Sequence, residues 1–190
     1  MKQLSRRPLA IRTLVFIILS LPIMVCGCHE KSKVSPQTSS LNTAIVQHAQ
    51  YVFGTEKLKR YRFPTHINDL IIDRAQSSNS EVFMVVIEPD HAPPFHKHDD
   101  TEQIFYVVEG TGILTIGDKK EQYNVNPGDV VRIPVSTYHS VRADKEKTLR
   151  YLCVDCFSEK PIAEPTWDDH VKAQCSANGW DYSKVVSESK

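Results

Sequence analysis

Short runs of β-branched and aromatic residues, cut by Gly, Pro, Asn and Asp, fill the middle of the chain. From about Thr65 the segments "SEVFMVVIEP" (80–89), "QIFYVVEG", "TGILTIGD", "EQYNV", "VVRIP", "VSTYHSVRA" and "TLRYLCVDCF" each read as a strand. Polar turns separate them, among them Glu109-Gly110 and "NPGD". Many short strands at roughly even spacing predict an all-β sandwich or barrel. The pattern changes near the carboxyl end. Trp167, Val171 and Cys175 recur every four residues, after Thr166 as a helix N-cap with Asp169 three residues on, and Asn178-Gly179 stops the helix. The apolar stripe of this helical tail is expected to pack on the outside of the barrel. A second, short helix is expected over 42–53, capped by Asn42, with Ile45, Ala49 and Val52 or Phe53 on one face. There is no internal repeat and no phosphate-cradling glycine loop.

A chain of 190 residues with 41% hydrophobic side chains suits one domain with ornaments. The formal charge of zero hides a gradient. Lys2, Arg6, Arg7 and Arg12 precede residue 28 with no acid among them, which leaves 19 basic against 23 acidic side chains in the remainder. That net negative body lacks the clustered positive charge of a nucleic-acid surface, so no nucleic-acid partner is expected. The basic start leads into thirteen uncharged residues, 13–25. They are too few for a comfortable bilayer span but suit a signal-peptide core. The following "VCGC" resembles the lipobox of bacterial lipoproteins, with Val25 at −3, Gly27 at −1 and Cys28 as the lipidated residue; Cys26 at −2 is unusual. The resemblance implies an exported protein held to a membrane through Cys28 on the periplasmic side. His29, not Asp, follows that cysteine, which points to the outer membrane. An uncleaved anchor or an ordinary secretory signal are the alternatives. The expected organisation is a signal peptide at 1–27, a flexible polar tether at 28–42, a barrel with an amino-terminal extension at 43–156 and a helical tail at 157–190.

The chemistry begins at "HKHDDTEQIFYVVEG" (96–110). Residues i and i+2 of a strand share a face, so His96 and His98 converge and their ring nitrogens can share one metal ion. An H-x-H pair alone is weak evidence. Here it is followed by an acid or amide and Gly110, and later by "NPGDVVRIPVSTYHSVRA" with Pro134 and His139. Together these resemble the two motifs of the cupin superfamily, over about 65–156: H-x-H, an acid and a glycine, then P-x-G-x-x-H. The resemblance implies a single cupin barrel of jelly-roll type that binds a divalent transition metal (Zn, Fe, Ni, Mn or Cu) through His96, His98, a fourth residue and His139.

The fourth ligand is open between two neighbours. Counting back from Gly110 at the family's interval lands on Gln103, one residue beyond Glu102. The two cannot both point inward from a regular strand. Glycine spacing favours Gln103. Three imidazoles and an amide would leave the cation its full charge of +2, which favours anionic oxygen ligands such as carboxylates. Ser136 replaces the glycine usual in the second motif, and Ala143 stands where the family often has Asn.

Other residues have weaker claims. His91 could shuttle protons at the barrel mouth, although solvated loop histidines are commoner. Asp100 could support a ligand histidine. Arg132 and Arg150 read as surface ion-pairing residues by default, and Tyr138 should point away from His139. Cys153, Cys156 and Cys175 lie outside the signal region. In an oxidising compartment a Cys156–Cys175 disulfide is expected, ahead of Cys153–Cys175.

Cupin barrels host many activities, so fold does not settle function. The leading expectation is a metal-dependent isomerase or lyase acting on a small oxygenated, anionic molecule. The alternatives are a metal-dependent dioxygenase and a non-catalytic module that binds a small molecule such as a sugar or carboxylate. The discriminating feature is a general base with reach into the barrel. None is obvious, with Glu102, if inward, the first candidate. Whether two copies form a homodimer is left open.

Overall fold

The computed structural model describes residues 51–187. The expected signal peptide, Cys28 and the tether lie outside these residues, as does most of the expected helix over 42–53; its last three positions, Tyr51 to Phe53, carry no helix. Ten strands and two helices follow in chain order: β1 (Lys59–Arg62), β2 (Ile67–Ile72), β3 (Ser80–Ile87), β4 (Thr101–Glu109), β5 (Gly112–Ile116), β6 (Glu121–Val125), β7 (Val130–Ile133), β8 (His139–Ala143), β9 (Leu149–Phe157), α1 (Trp167–Asn178), α2 (Tyr182–Val185) and β10 (Val186–Ser187).

All pairings are antiparallel, in a large sheet ordered β10-β1-β2-β3-β9-β4-β7 and a small one ordered β6-β5-β8. Strict alternation marks the strands at the centre of the large sheet. On β3, Glu81, Phe83, Val85 and Ile87 are buried, and on β9 every second residue from Leu149 to Phe157 is buried. Each inward apolar side chain of this size contributes about 1.5–3 kcal/mol by leaving water. The inner faces of both sheets meet in one core containing Phe83, Val85, Phe105 and Tyr151 from the large sheet and Leu114 and Val141 from the small one.

The turn after β4 requires glycine. Gly110 has φ +77°, and a Cβ there would lie 2.1 Å from the Thr148 carbonyl oxygen. In the second motif Ser136 takes up the left-handed conformation glycine would have held, at φ +57°. That conformation costs about 1–2 kcal/mol for a residue with a Cβ. It is offset by two bonds: the Ser136 N–H donates to the His98 carbonyl at 2.6 Å, and its hydroxyl to Asp99 at 2.9 Å. The substitution thereby ties the two motifs together.

Helix α1 starts and stops as its caps dictate. The Thr166 hydroxyl accepts the Asp169 N–H, and Gly179 closes the helix at φ +69°. Its apolar stripe does not pack on the outside of the barrel, contrary to expectation. Trp167 lies 4.6 Å from Phe83 and 6.1 Å from Tyr61, ring centre to ring centre, and both partners face inward. Seven strands face three, and Trp167, Val171 and Cys175 of α1 complete the core that the inward residues of both sheets begin.

Candidate metal centre

His96 and His139 face each other across an isolated antiparallel bridge that joins the two motifs. The His96 N–H donates to the His139 carbonyl at 3.1 Å, and the His139 N–H to the His96 carbonyl at 2.7 Å. His96 and His98 precede β4 in an irregular segment, yet their rings still converge. Among the described residues, one ring nitrogen from each of His96, His98 and His139 lies within 4.8 Å of the other two. Backbone carbonyls orient two of the rings. Nδ1 of His96 bonds to the Pro94 oxygen at 2.8 Å, and Nδ1 of His139 to the Thr137 oxygen at 3.1 Å. Each bond leaves Nε2 with its lone pair for a cation. Nε2 of His96 sits 3.1 Å from Nε2 of His98.

Electrostatics keeps these rings neutral. Burial, with His96 and His139 beside it, pushes His98 down to about 3; burial and His96 push His139 down to about 4; burial also lowers His96. Neutral imidazole is the form that binds metal.

Gln103 and Glu102 stand on opposite faces of β4. Gln103 is 6% exposed and lines the same cavity as the three histidines. Its Nε2 donates to Asp155 at 2.8 Å, and its Oε1 is buried without a hydrogen-bond partner. Glu102 is turned to the outer face, where Arg132 pairs with it at 2.5 Å. An inward general base at Glu102 is therefore excluded, because strand parity gives the inner face to Gln103. Three neutral imidazoles and an unpaired amide oxygen suit a divalent transition metal.

His91 is an exposed loop residue whose Nδ1 bonds to the Pro89 oxygen; it does not line the cavity. Asp100 accepts from Thr101 and supports no histidine. Arg150 pairs with Glu109 at 3.3 Å, and Tyr138 stacks on Phe95. The Cys156–Cys175 disulfide is not formed, and all three cysteines are free thiols. The two lie on opposite sides of the large sheet. Cys156 alternates with the buried Asp155 and Phe157 of β9 and so faces outward, whereas Cys175 is buried with the inward stripe of α1.

The cavity, about 150 Å³, reaches from the histidines to α1. Phe83, Phe105, Tyr151 and Trp167 supply apolar wall. Helix α1 also brings His170, whose Nδ1 bonds to Glu164 at 2.6 Å. Burial lowers this imidazole, and Arg74 adds to the effect against the pull of Glu164. His66, at the cavity wall on the β2 side, is pushed down to about 3 by burial.

Behind the histidines lies a buried polar row absent from the sequence reading. Glu81 on β3 pairs with Asp155 on β9, which pairs with Gln103 on β4, so the three occupy one rung. Arg74 clamps Glu81 with bonds of 2.6 and 2.8 Å. Burial pushes Glu81 up to about 7 against that arginine, and raises Asp155 against its donors Cys153 and Gln103. The guanidinium bonds to Glu81 directly and acts on Asp155 only through its charge. The period-two rule marks both acids, since Glu81 is in phase with Phe83 and Asp155 with Cys153.

Comparison with known proteins matches this unit to the Cupin domain family over residues 83–155. The match runs from β3 to β9 and includes both motifs and every histidine of the cluster. Residues 83–155 are a cupin domain. Cupins commonly bind transition metals. This cupin is 30% identical over 115 residues to a 5-nitrosalicylic acid 1,2-dioxygenase of Bradyrhizobium sp., covering 55% of the chain and 53% of the relative. It is 36% identical over 58 residues to an uncharacterized protein of Methanocaldococcus jannaschii, covering 30% and 45%. The cupin thus spans about half the length of these two curated relatives. Among solved structures it is similar in fold to the polyketide cyclase RemF of Streptomyces resistomycificus, at a TM-score of 0.50 and 24% identity over 57% of this chain and 79% of that one.

Proposed function

We propose that the protein is a metal-dependent enzyme of isomerase or lyase type, acting on a small oxygenated, anionic molecule inside the barrel. One observation carries this reading. Three neutral imidazoles converge in a cavity that His170, backed by Glu164, also lines. This is the proton-handling group that the sequence did not reveal. With Nδ1 held by Glu164, the free Nε2 of His170 takes a proton from a bound molecule and returns it at a neighbouring atom.

A divalent transition metal held by His96, His98, Gln103 and His139 would supply a Lewis acid for a carbonyl or carboxylate oxygen. Because Gln103 adds no charge, an anionic ligand is favoured over a neutral one. The apolar wall formed by Phe83, Phe105 and Trp167 excludes water and strengthens each polar contact inside. A cavity of about 150 Å³ takes a molecule of roughly benzene size. The amino-terminal lipobox resemblance supports an exported domain tethered through Cys28, on the periplasmic side of the outer membrane.

The likeness to a 1,2-dioxygenase supports a second reading, oxidation of a small hydroxylated aromatic acid. One experiment separates the two. The purified protein is reconstituted with Zn, Mn, Ni or Fe(II), its bound metal measured, and pyruvate, 2-oxobutyrate and salicylate supplied in D2O with dissolved oxygen monitored. Isomerase or lyase chemistry predicts C–H exchange of an oxo acid, lost on chelation and in His170→Asn. Oxygen uptake with salicylate and Fe(II) would favour the dioxygenase. A protein that retains no metal after reconstitution would overturn both.

A further inference from the structure

A primary amide has two unlike ends, and only one of them can bind a cation. The oxygen of Gln103 carries lone pairs, whereas its NH2 group offers hydrogens and no ligand. Whether Gln103 can serve the centre therefore depends on which end faces the histidines. Asp155 decides this. As a carboxylate it accepts hydrogen bonds, and its Oδ1 takes the Gln103 Nε2 at 2.8 Å and the Cys153 thiol at 3.2 Å. The amide nitrogen is thereby drawn into the sheet. Oε1 is left as a buried acceptor with no protein partner, on a residue that lines the histidine cavity.

Asp155 itself has little freedom. It is 5% exposed and sits between Glu81 and Gln103 on one rung of three adjacent strands. Glu81, with no exposed surface, is fixed from behind by the two bonds from Arg74. We infer that Asp155 is a positioning residue for the metal centre: it sets the Gln103 amide so that Oε1 faces the cation, and the Arg74–Glu81 pair anchors it. Outer partners of this kind typically change metal affinity by about 10–100-fold. The inference rests on the proposed metal centre.

The test uses Co2+ and Ni2+ titrated against a competing chelator, with the visible absorption of bound Co2+ as a second readout. In Asp155→Asn the new side chain can present either end to Gln103, so the amide is free to turn. Affinity should fall about 10-fold or more, with altered Co2+ bands, while circular dichroism shows the barrel intact. In a Gln103→Leu background the same substitution should have no further effect on affinity, because it acts through the amide. In a Gln103→Glu background, Asp155→Asn should leave metal binding as tight as in Gln103→Glu alone. Both ends of a carboxylate are acceptors, and the swap keeps one donor and one acceptor on the rung. Should the single variant not fold, the swap decides alone. Unchanged affinity in Asp155→Asn, or an equal loss in the Gln103→Leu background, would overturn the inference and leave the metal centre standing. Absence of metal binding by the parent chain would overturn both.

Discussion

Glu81→Ala tests the anchor behind the metal centre, and its magnitude follows from the geometry. The Arg74 guanidinium is 4% exposed, lies 5.1 Å from the Phe157 ring and 5.9 Å from that of Trp167, and has its two shortest bonds to Glu81. Removing one partner of a buried ion pair typically costs about 3–5 kcal/mol, because the other charge stays desolvated. The lower end applies here. The Glu164 carbonyl and carboxylate remain 3.3 and 3.5 Å from Arg74 Nη1. About 3 kcal/mol corresponds to a melting temperature roughly 10 °C lower in a domain of this size. The assay is urea unfolding followed by tryptophan fluorescence. Trp167, 1% exposed and packed beside Arg74, reports on the region directly. Arg62–Glu88 serves as the control, since it has a 2.9 Å contact but both side chains are 51% exposed. Glu88→Ala should change stability by no more than about 1 kcal/mol. In the double variant Arg74→Met, Glu81→Leu the loss should be smaller than in Glu81→Ala, because no charge is left unpaired. A loss below about 1 kcal/mol in Glu81→Ala, or equal losses in the buried and exposed pairs, would refute the reasoning.

Three further outcomes are expected. His139→Ala should lose most bound metal by elemental analysis while keeping the strand signal in circular dichroism; full occupancy would remove this residue from the ligand set. His66 is neutral when folded, lowered to about 3 from an ordinary 6.5, so its contribution to stability is complete above 6.5 and is lost as pH falls towards 3. His66→Phe should therefore flatten the fall in unfolding free energy over that window by up to about 1.4 kcal/mol per pH unit, and an unchanged slope would contradict the assignment. Cys28→Ala should move the protein from the membrane fraction to the soluble fraction and abolish incorporation of labelled palmitate; a variant that stays membrane-bound would contradict lipidation at that position.

Much of the barrel was legible because period two and turn chemistry act locally. The strands from Ser80 to Phe157 begin and end close to their Gly, Pro and Asn signals, and helix α1 lies between the cap and stop that its residues announce. β1 was not visible. Its sequence KRYR is three-quarters basic, and only Tyr61 is buried, so no alternation could emerge over four residues. The packing side of α1 was misjudged for a different reason. An apolar stripe shows that a helix is covered, not which face of a sheet covers it. That is a property of the whole fold.

The site shows where local rules stop. Placing Gln103 rather than Glu102 in the cavity is a matter of parity, and glycine spacing captured it because Gly110 is held by its own backbone conformation and by the Thr148 carbonyl. A glycine that cannot move fixes the register of the strand before it, and so which of two adjacent polar side chains turns inward. The same parity applied to β3 and β9 would have turned Glu81 and Asp155 inward, where a buried acid needs a partner. Arg74 and Gln103 are those partners, and neither could be assigned from spacing, since one comes from a single 3-10 turn, Arg74–Gln76, and the other from across the sheet. His170 is harder still. Its role depends on how α1 packs against the large sheet, and on Glu164 reaching it from the segment before the helix. The histidines that converge are thus encoded in short motifs, whereas the groups packed behind them and across the cavity from helix α1 come from tertiary closure.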